Sequence, residues 1–383
     1  MLFVLLTVLS TCVMEDAPAS SGNVVVDQPG NACEKCPSRW YARVEFLWWW
    51  LKQDEIPPLL TTGSGGSSGI PGDDGVSVIF GGGMQSRHDR FIGVRPTVGW
   101  WTDACHAFGV EASAFFLERD SSILHIKRVE TPLYQIYVDA NTGQWAAEQF
   151  AGEFPNGVVR QGSVQVYGRK ELYGQDVRGL ALLQEAESWR WYGVMGAKFL
   201  QFRNQLNVVM TGMDQPDLNV LYGVEDNFYS YDRFYGSQLG FRWEVQRGNW
   251  EAQMTLVSGI GATEQRIRTD GRREVRTPLS QDVRPVGLHV QYTNTGDWSR
   301  WVFDAVPEVN LNVSWGPCDW LRVQAGYTLI YWMRVLRASD QLDAVNTDQI
   351  NGPNFMRPAR PIIPWKETSF WAQGLSIGVE LRW

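Results

Sequence analysis

Apolar and polar residues alternate with a period of two in ten separate stretches of this chain. The alternation is clearest near the end, where Leu375, Ile377 and Val379 share one parity with Trp371 and Trp383. Small and charged residues occupy most of the other parity. Because an extended chain points successive side chains to opposite faces, each stretch predicts a β-strand with one apolar and one polar face.

The predicted strands differ in how regular this pattern is. The fourth, near residues 171–182, is the least regular. Pro96 and Pro307 fall on apolar parities, and because proline has no N–H to donate, we expect one unmade ladder bond and a bulge or local bend at each. The ten predicted strands lie near residues 40–50, 92–100, 108–116, 171–182, 189–199, 235–245, 250–260, 303–313, 321–331 and 371–383.

Short and long connections alternate without exception between these strands. Short turns at one end and long loops at the other are typical of an outer-membrane barrel, with the turns periplasmic and the loops external. An even number of strands also predicts that both chain ends are periplasmic. The short connections are 102–106, 183–188, 247–249 and 315–318, and the long ones are 52–90, 119–169, 203–231, 268–299 and 334–368.

The same alternation fits a soluble antiparallel barrel or sandwich, whose apolar face points inward. The content of 19 Trp, 13 Tyr and 17 Phe favours the membrane, because aromatic residues form girdles at both interfaces of such barrels. The predicted fold is therefore all-β: a single closed antiparallel up-and-down transmembrane barrel of about ten strands. The number rises to twelve if segments such as Ile123–Val129 or Val286–Tyr292 join the wall.

The first residues predict export. Residues 2–14 form an apolar run of the length found in a signal-peptide core, and Ala17-Pro18-Ala19 offers small residues for cleavage. The basic residues that normally precede such a core are missing, which suggests a translation start further upstream. We expect a signal peptide over 1–19, a periplasmic tail over 20–38 and the barrel over 39–383, with lipidation at Cys12 and a buried helix as weaker alternatives.

The polar parity carries nearly balanced charges, which we expect to face the lumen. A selective pore usually shows one dominant sign, whereas paired charges neutralise one another inside a closed barrel. We therefore predict an ion-paired plug, and a wet, partly open lumen is the alternative. The predicted lumen charges are Arg43, Glu45, Arg95, Glu111, Lys198, Arg242, Glu244, Glu251, Asp304, Glu308, Arg322, Glu380 and Arg382.

Aromatic residues gather on the apolar parity near the strand ends, where membrane interfaces would lie. We expect them to face lipid because amphipathic aromatic rings favour the interfacial region. The predicted lipid-facing aromatic residues are Trp40, Phe46, Trp48, Trp50, Trp100, Trp189, Trp191, Trp243, Trp250, Tyr327, Trp371 and Trp383.

The cysteines and histidines predict little chemistry. Cys33, Cys36, Cys105 and Cys318 would all be periplasmic, where disulfides form, so a staple across the barrel mouth competes with plain thiols. The sequence indicates no metal site and no cofactor. His88-Asp89 is the nearest approach to a catalytic pair, but adjacent side chains usually point apart.

Several phrases of the chain resemble a known family of bacterial β-barrel porins, the seventh of a numbered series. Examples are Ile56-Pro57-Pro58-Leu59-Leu60-Thr61-Thr62-Gly63 and Gly326-Tyr327-Thr328-Leu329-Ile330-Tyr331-Trp332, with others from about Trp40 to Trp383. The resemblance implies an outer-membrane barrel and supplies no catalytic residues.

Three functions are compatible with these observations. The first is a porin or narrow gated channel for small solutes, and the second a structural or surface-display barrel whose external loops bind a partner. An outer-membrane enzyme is the third and weakest. Expected partners are outer-membrane lipid and, through the C-terminal strand, the barrel-assembly machinery, whereas a net charge of -8 argues against nucleic acid.

Overall fold

The computed structural model describes residues 38–83, 90–118, 120–129, 131–215, 220–351 and 358–383. Within these residues the chain is all-β, apart from two short 3-10 turns at Ala338–Gln341 and Thr347–Asn351. No helix in the described part is long and apolar enough to cross a membrane. The strands are β1 (Trp40–Leu51), β2 (Leu60–Gly63), β3 (Val76–Phe80), β4 (Arg90–Trp101), β5 (Phe108–Leu117), β6 (Asp120–Val129), β7 (Leu133–Val138), β8 (Trp145–Glu153), β9 (Val159–Ala186), β10 (Trp189–Gln215), β11 (Leu221–Arg247), β12 (Trp250–Arg276), β13 (Gln281–Arg284), β14 (Gly296–Cys318), β15 (Leu321–Leu336) and β16 (Glu367–Arg382).

Ten of the described strands close into an antiparallel ring. The order around the ring is β1, β4, β5, β9, β10, β11, β12, β14, β15 and β16. The last strand returns to the first through an unbroken register from Tyr41↔Arg382 to Leu51↔Ala372. The predicted up-and-down barrel of ten strands is confirmed.

The ends of the ring differ as the alternation of connections predicted. We call the end with the tight turns between β4 and β5, β9 and β10, β11 and β12, and β14 and β15 the turn end, and the opposite end the loop end. The predicted lengths of the long connections were wrong, because β9 to β12 extend for 27 or 28 residues. Predicted loop 203–231 is thus mostly strand, and so is the second half of 119–169.

The missed strand lengths have a physical reason. In β10 the outward residues change from Phe199 to Arg203 and Gln205, while the inward residues change from Lys198 to Leu206 and Val208. The alternation therefore reverses its phase partway along the strand. A search for one constant apolar face ends the strand at that point, although the backbone ladder continues.

The strands that are not part of the ring lie at the loop end. β2, β3, β7 and β8 form a small sheet in the order β8-β7-β2-β3. β6, which contains Ile123–Val129, pairs with β9 and extends the wall above β5 without enlarging the ring. Residues 286–292 are not a strand, and Val286, Leu288 and Val290 are completely buried. Neither segment therefore makes a twelve-stranded ring.

Aromatic side chains on neighbouring strands contact one another in series around the outside of the wall, in the half nearer the loop end. Phe116 stacks on Tyr173 with ring centroids 5.8 Å apart, and Tyr173 contacts Phe199 at 5.4 Å. Phe199 contacts Tyr235 at 4.9 Å, and Tyr235 contacts Trp301 at 5.9 Å. We call these five rings the outer girdle, because the outward residues beyond them are largely polar.

Both prolines that were expected to disturb the ladder lie at breaks in pairing. The ladder between β4 and β5 is interrupted between Val94↔Phe116 and Thr97↔Ser113, and it resumes in the same register. The ladder between β14 and β15 stops at Glu308↔Ile330, beside Pro307. The first break is local, whereas the second continues to the loop end.

Candidate functional site

The inward side chains of the ring are sorted into stacked layers. On β1, Tyr41 lies nearest the turn end, Arg43 and Glu45 follow, and Leu47 and Trp49 come next. The same order of aromatic or mixed, then charged, then apolar residues recurs on neighbouring strands. The lumen therefore contains a charged layer on the side of the turn end and an apolar layer on the side of the loop end. Both layers are buried.

Glu111 is the centre of the charged layer. Its two carboxylate oxygens accept hydrogen bonds of 2.9 and 3.0 Å from Arg242 Nη2. Arg43 and Arg178 each place a guanidinium nitrogen 3.7 Å from the same carboxylate. The Tyr41 hydroxyl donates a further bond of 2.7 Å. One carboxylate thus joins four strands across the lumen.

Glu45 and Arg95 form a second, bidentate pair. Arg95 donates from Nε to Glu45 Oε2 at 2.7 Å and from Nη2 to Oε1 at 2.8 Å. The remaining Arg95 nitrogen, Nη1, donates to Thr328 Oγ1 of β15 at 3.1 Å. Parallel charge-assisted bonds of this kind are stronger than single neutral ones and fix the geometry of both side chains.

A third centre, Glu308, completes the layer. It accepts a bond from Lys198 Nζ and one of 3.1 Å from Arg178 Nη2. Arg178 also pairs with Asp176 through Nε at 2.6 Å. Among the described residues, five cations and five anions make up this network, which is therefore neutral as a whole. The charged layer consists of Arg43, Glu45, Arg95, Glu111, Asp176, Arg178, Lys198, Arg242, Glu308 and Glu380.

A water-accessible vestibule opens below the charged layer at the turn end. Its volume is about 420 Å³, and Arg43, Glu111 and Arg242 of the charged layer line its inner end. Arg322 and Glu251 line its side and pair at 2.8 Å. The vestibule thus ends on the ion pairs of the charged layer.

The apolar layer lies on the loop-end side of the charges. Phe202 and Phe370 meet across the lumen with ring centroids 4.4 Å apart, and both are completely buried. Trp49 is also completely buried, and a Cβ on Gly374 would lie 2.5 Å from it. The absence of a side chain at Gly374 therefore makes room for the indole. The layer consists of Leu47, Trp49, Leu51, Phe91, Phe115, Leu117, Leu172, Leu200, Phe202, Phe234, Val306, Ile330, Trp332, Val335, Phe370 and Ala372.

The loop end carries a folded structure with its own core, which we call the head. It comprises β2, β3, β6, β7 and β8, the loop-end halves of β9 to β12, and segments 285–295 and 337–351. Leu60, Leu133, Val208 and Leu288 belong to one buried cluster there. Asp226 fixes segment 285–295 by accepting from the Leu288 and Val290 amides at 3.2 and 2.8 Å. The head is thus a packed unit.

The structure places all thirteen predicted lumen charges on the inner side of the wall. Nine are buried, and Glu244, Glu251, Arg322 and Arg382 are half-buried around the vestibule. Asp304 is the exception in its surroundings, because it lies among the apolar layer and accepts from Trp332 Nε1 at 2.7 Å. The predicted ion-paired plug describes one layer of the lumen, whereas the apolar layer above it was not predicted.

Sequence reasoning missed Asp176 and Arg178. Both belong to β9, the strand with the least regular alternation, because its inward parity also carries Leu172 and Leu180 for the adjoining layers. Apolar residues on both parities hide the polar face. The polar pair two residues apart was the signal that could have identified it.

The twelve predicted lipid-facing aromatic residues all lie on the outward parity of their strands. Eight are exposed, among them Trp48 and Trp243 at 45%. Trp50, Trp189, Tyr327 and Trp371 are half-buried by their neighbours. Trp49, between two of these residues, points inward instead.

Two of the four cysteines in the predicted staple, Cys105 and Cys318, lie in the described part of the chain. Cys318 is disulfide-bonded and Cys105 is exposed in the turn between β4 and β5. Cys33 and Cys36 lie outside the described residues, as do the proposed signal peptide, nearly all of the periplasmic tail, and His88-Asp89. The staple therefore stays a prediction.

A closed antiparallel ring with an apolar, aromatic-rimmed exterior defines a transmembrane β-barrel. Residues 41–383 match the family described as "Putative beta barrel porin-7", and the chain belongs to that family. It is a protein of the bacterial outer membrane, so the turn end is periplasmic and the loop end is extracellular. No curated protein matches the chain.

Solved structures give only remote similarities. The outer membrane protease OmpT from Escherichia coli is 8% identical with a TM-score of 0.40, covering 91% of this chain and 97% of that chain. A Pseudomonas aeruginosa FadL homologue is 8% identical with a TM-score of 0.26, covering 90% of each chain. The Pseudomonas putida toluene transporter TodX is 6% identical with a TM-score of 0.21, covering 91% of each. Scores this low carry no argument about function.

Proposed function

We propose that this barrel is closed along its axis and serves as a membrane anchor for the extracellular head, whose surface binds a partner. The observation that carries the proposal is the pair of layers across the lumen. A solute that enters at the turn end and moves along the axis meets first the Glu111 and Glu308 networks and then the rings of Trp49, Phe202 and Phe370. Charged and apolar barriers in series oppose both ions and polar solutes.

The head has the properties of a binding platform. Its buried cluster and its side-chain bonds hold the backbone, so a partner would meet a preorganised surface and less ordering entropy would be lost on binding. Its outer face carries charges of both signs, such as Arg233 with Glu264 at 3.4 Å and Arg272 with Glu274 at 2.8 Å. Such a face suits a polar partner.

Flux into proteoliposomes tests the closed axis. Purified protein is reconstituted and the entry of a small sugar is followed by liposome swelling, with an open general porin as the positive control. We expect the swelling rate to equal that of protein-free liposomes. Sustained sugar entry would contradict a closed barrel. Partner binding by the head is tested separately, by deleting head segments one at a time and measuring attachment to cell-envelope material.

The vestibule favours a second candidate, a gated passage for small solutes. A cavity of about 420 Å³ with cationic and anionic walls could receive a small polar solute before the charged layer rearranges. Flux that appears only under an applied voltage would support this candidate over the anchor.

A further inference from the structure

The wall of the barrel is not hydrogen-bonded all the way round. β14 pairs with β12 from Gly296 to Trp315, but it pairs with β15 only from Glu308 towards the turn end. Its loop-end half therefore has a ladder on one side alone. We call the unpaired interval between residues 301–307 of β14 and residues 331–336 of β15 the seam.

The seam lies at membrane depth. Outward residues of β14 from Leu311 through Phe303 to Trp301 carry no charge, and the first outward charge is Asp297. Trp301 also belongs to the outer girdle through its contact with Tyr235. Phe303 and Trp301 are 71% and 62% exposed, and Met333 on the other side of the seam is 49% exposed. These apolar side chains face the outer leaflet.

Side-chain bonds cross the seam where backbone bonds are missing. Trp332 Nε1 of β15 donates to Asp304 Oδ2 of β14 at 2.7 Å. Gln265 Nε2 of β12 donates to the Arg334 carbonyl at 3.3 Å. At the top, Arg300 Nη2 donates to Glu367 Oε1 at 2.5 Å. A backbone group left unpaired in lipid is unfavourable, and these few bonds replace a continuous ladder only in part.

The buried side chains behind the seam are mostly apolar, and Asp304 is the exception. Val306, Ile330 and Trp332 line its inner side and belong to the apolar layer of the lumen. Trp332 touches Phe234 there, with ring centroids 6.3 Å apart. Asp304 is held by bonds from Trp332, Thr263 and the Ala305 amide. One indole thus both fills the apolar layer and closes the seam.

From this arrangement we propose that the seam is a lateral port through which the acyl chain of an outer-leaflet lipid enters the apolar layer. This route crosses the wall sideways and ends in the apolar layer, so the acyl chain does not have to pass the charged layer. The occupant is a hydrocarbon chain, since Trp301, Phe303 and Met333 on the outer approach are apolar and exposed, and most of the inner surface is made of aliphatic and aromatic side chains. Arg334 is an exposed charge within the seam, and its long side chain can keep its guanidinium at the membrane surface. The inference goes beyond the proposed anchor function and does not depend on it.

Photo-crosslinking tests the port. Protein is reconstituted with a phospholipid that bears a diazirine near the end of its acyl chain, and the crosslinked residues are mapped by mass spectrometry. We expect adducts on the inward residues Val306 and Trp332 as well as on the outward residues Phe303 and Met333. Adducts confined to outward residues would overturn the proposal.

A disulfide across the seam sharpens the test. Extrapolated ladder register places Ala305 opposite Met333, so A305C/M333C is oxidised to lock the seam and compared with V313C/A325C, whose positions pair inside the intact ladder. Heat-modifiable gel mobility is measured first, to establish that both variants fold. The lock should abolish the inward adducts and reduction should restore them, whereas the control pair should keep them throughout. Inward adducts that survive the lock would overturn the port.

Discussion

The charged layer and the apolar layer occupy the same lumen, one above the other, and are held together by different physical effects. The charged layer depends on partners: Glu111 is stable there because three arginines and a tyrosine surround it. The apolar layer depends on close packing of rings such as Phe202 and Phe370. A buried charge without its partner is costly, whereas a buried ring that loses a neighbour leaves a cavity. The two layers should therefore respond differently to substitution.

The largest effect is expected at the centre of the charged layer. Glu111→Gln removes the carboxylate that three arginines share, and the free energy of unfolding should fall by about 3–5 kcal/mol. Urea unfolding in detergent, followed by tryptophan fluorescence, measures this change. Glu251→Gln, at the half-buried rim of the vestibule, is the control and should cost much less. Equal losses for both variants would show that burial of the network is unimportant.

A large-to-small change in the apolar layer comes next. Leu200 is 1% exposed, and Leu200→Ala should lower the free energy of unfolding by about 2–5 kcal/mol through lost burial and a cavity. The outward Leu239, which is 56% exposed, is the matched control. In the same urea assay in detergent, Leu239→Ala should cost less than Leu200→Ala, because the Leu239 side chain lies on the outer face and its truncation leaves no internal cavity. A reversed order would mean that the apolar layer is loosely packed.

A double substitution distinguishes pairing from packing. Glu45→Leu alone leaves Arg95 buried without its bidentate partner and should be strongly destabilising. Adding Arg95→Met removes the orphaned charge, so E45L/R95M should be more stable than E45L. An additive loss in the double variant would contradict the view that these two residues act as a pair.

The smallest effect concerns the head. Burial lowers the pKa of His289 from its usual 6.5, against the opposing influence of Asp226 and Glu148. The unfolded chain therefore binds this proton more readily than the folded one, and stability is lost as pH falls below about 6.5 towards the lowered value. Thermal unfolding at about pH 7.5 and pH 5.5 should show a smaller drop in H289Q than in the parent. An identical drop would mean that the pKa of His289 is the same in the folded and the unfolded chain.

The sequence was sufficient for the ring and insufficient for its contents. Ten strands, the alternation of short and long connections and the outward aromatic residues all follow from a period of two, because the outer face meets lipid along the whole membrane. The inner face meets different neighbours at different heights. Trp49 stood on the polar parity of β1 as an irregularity, and it proved to belong to the apolar layer.

The alternation predicts loops where the head lies, for a related reason. Beyond the outer girdle the surroundings of the wall change from lipid to water, so the outward parity becomes polar while the inward parity packs against segments such as 285–295. The alternation of apolar and polar residues therefore reverses its phase. A search for strands with an outward apolar face does not find these segments. The contacts of Arg178 with Glu111 and Glu308, and the end of the β14–β15 ladder beside Pro307, depend on interactions between different strands that periodicity does not encode.

Planar-bilayer recording of the purified protein tests the central claim most directly. If the charged and apolar layers close the lumen, inserted wild-type protein should leave the membrane silent, with no large, long-lived openings at moderate voltage in either direction. Heat-modifiable mobility of the same sample confirms that folded barrels were added. Stable, large unitary conductance from that sample would contradict the closed lumen.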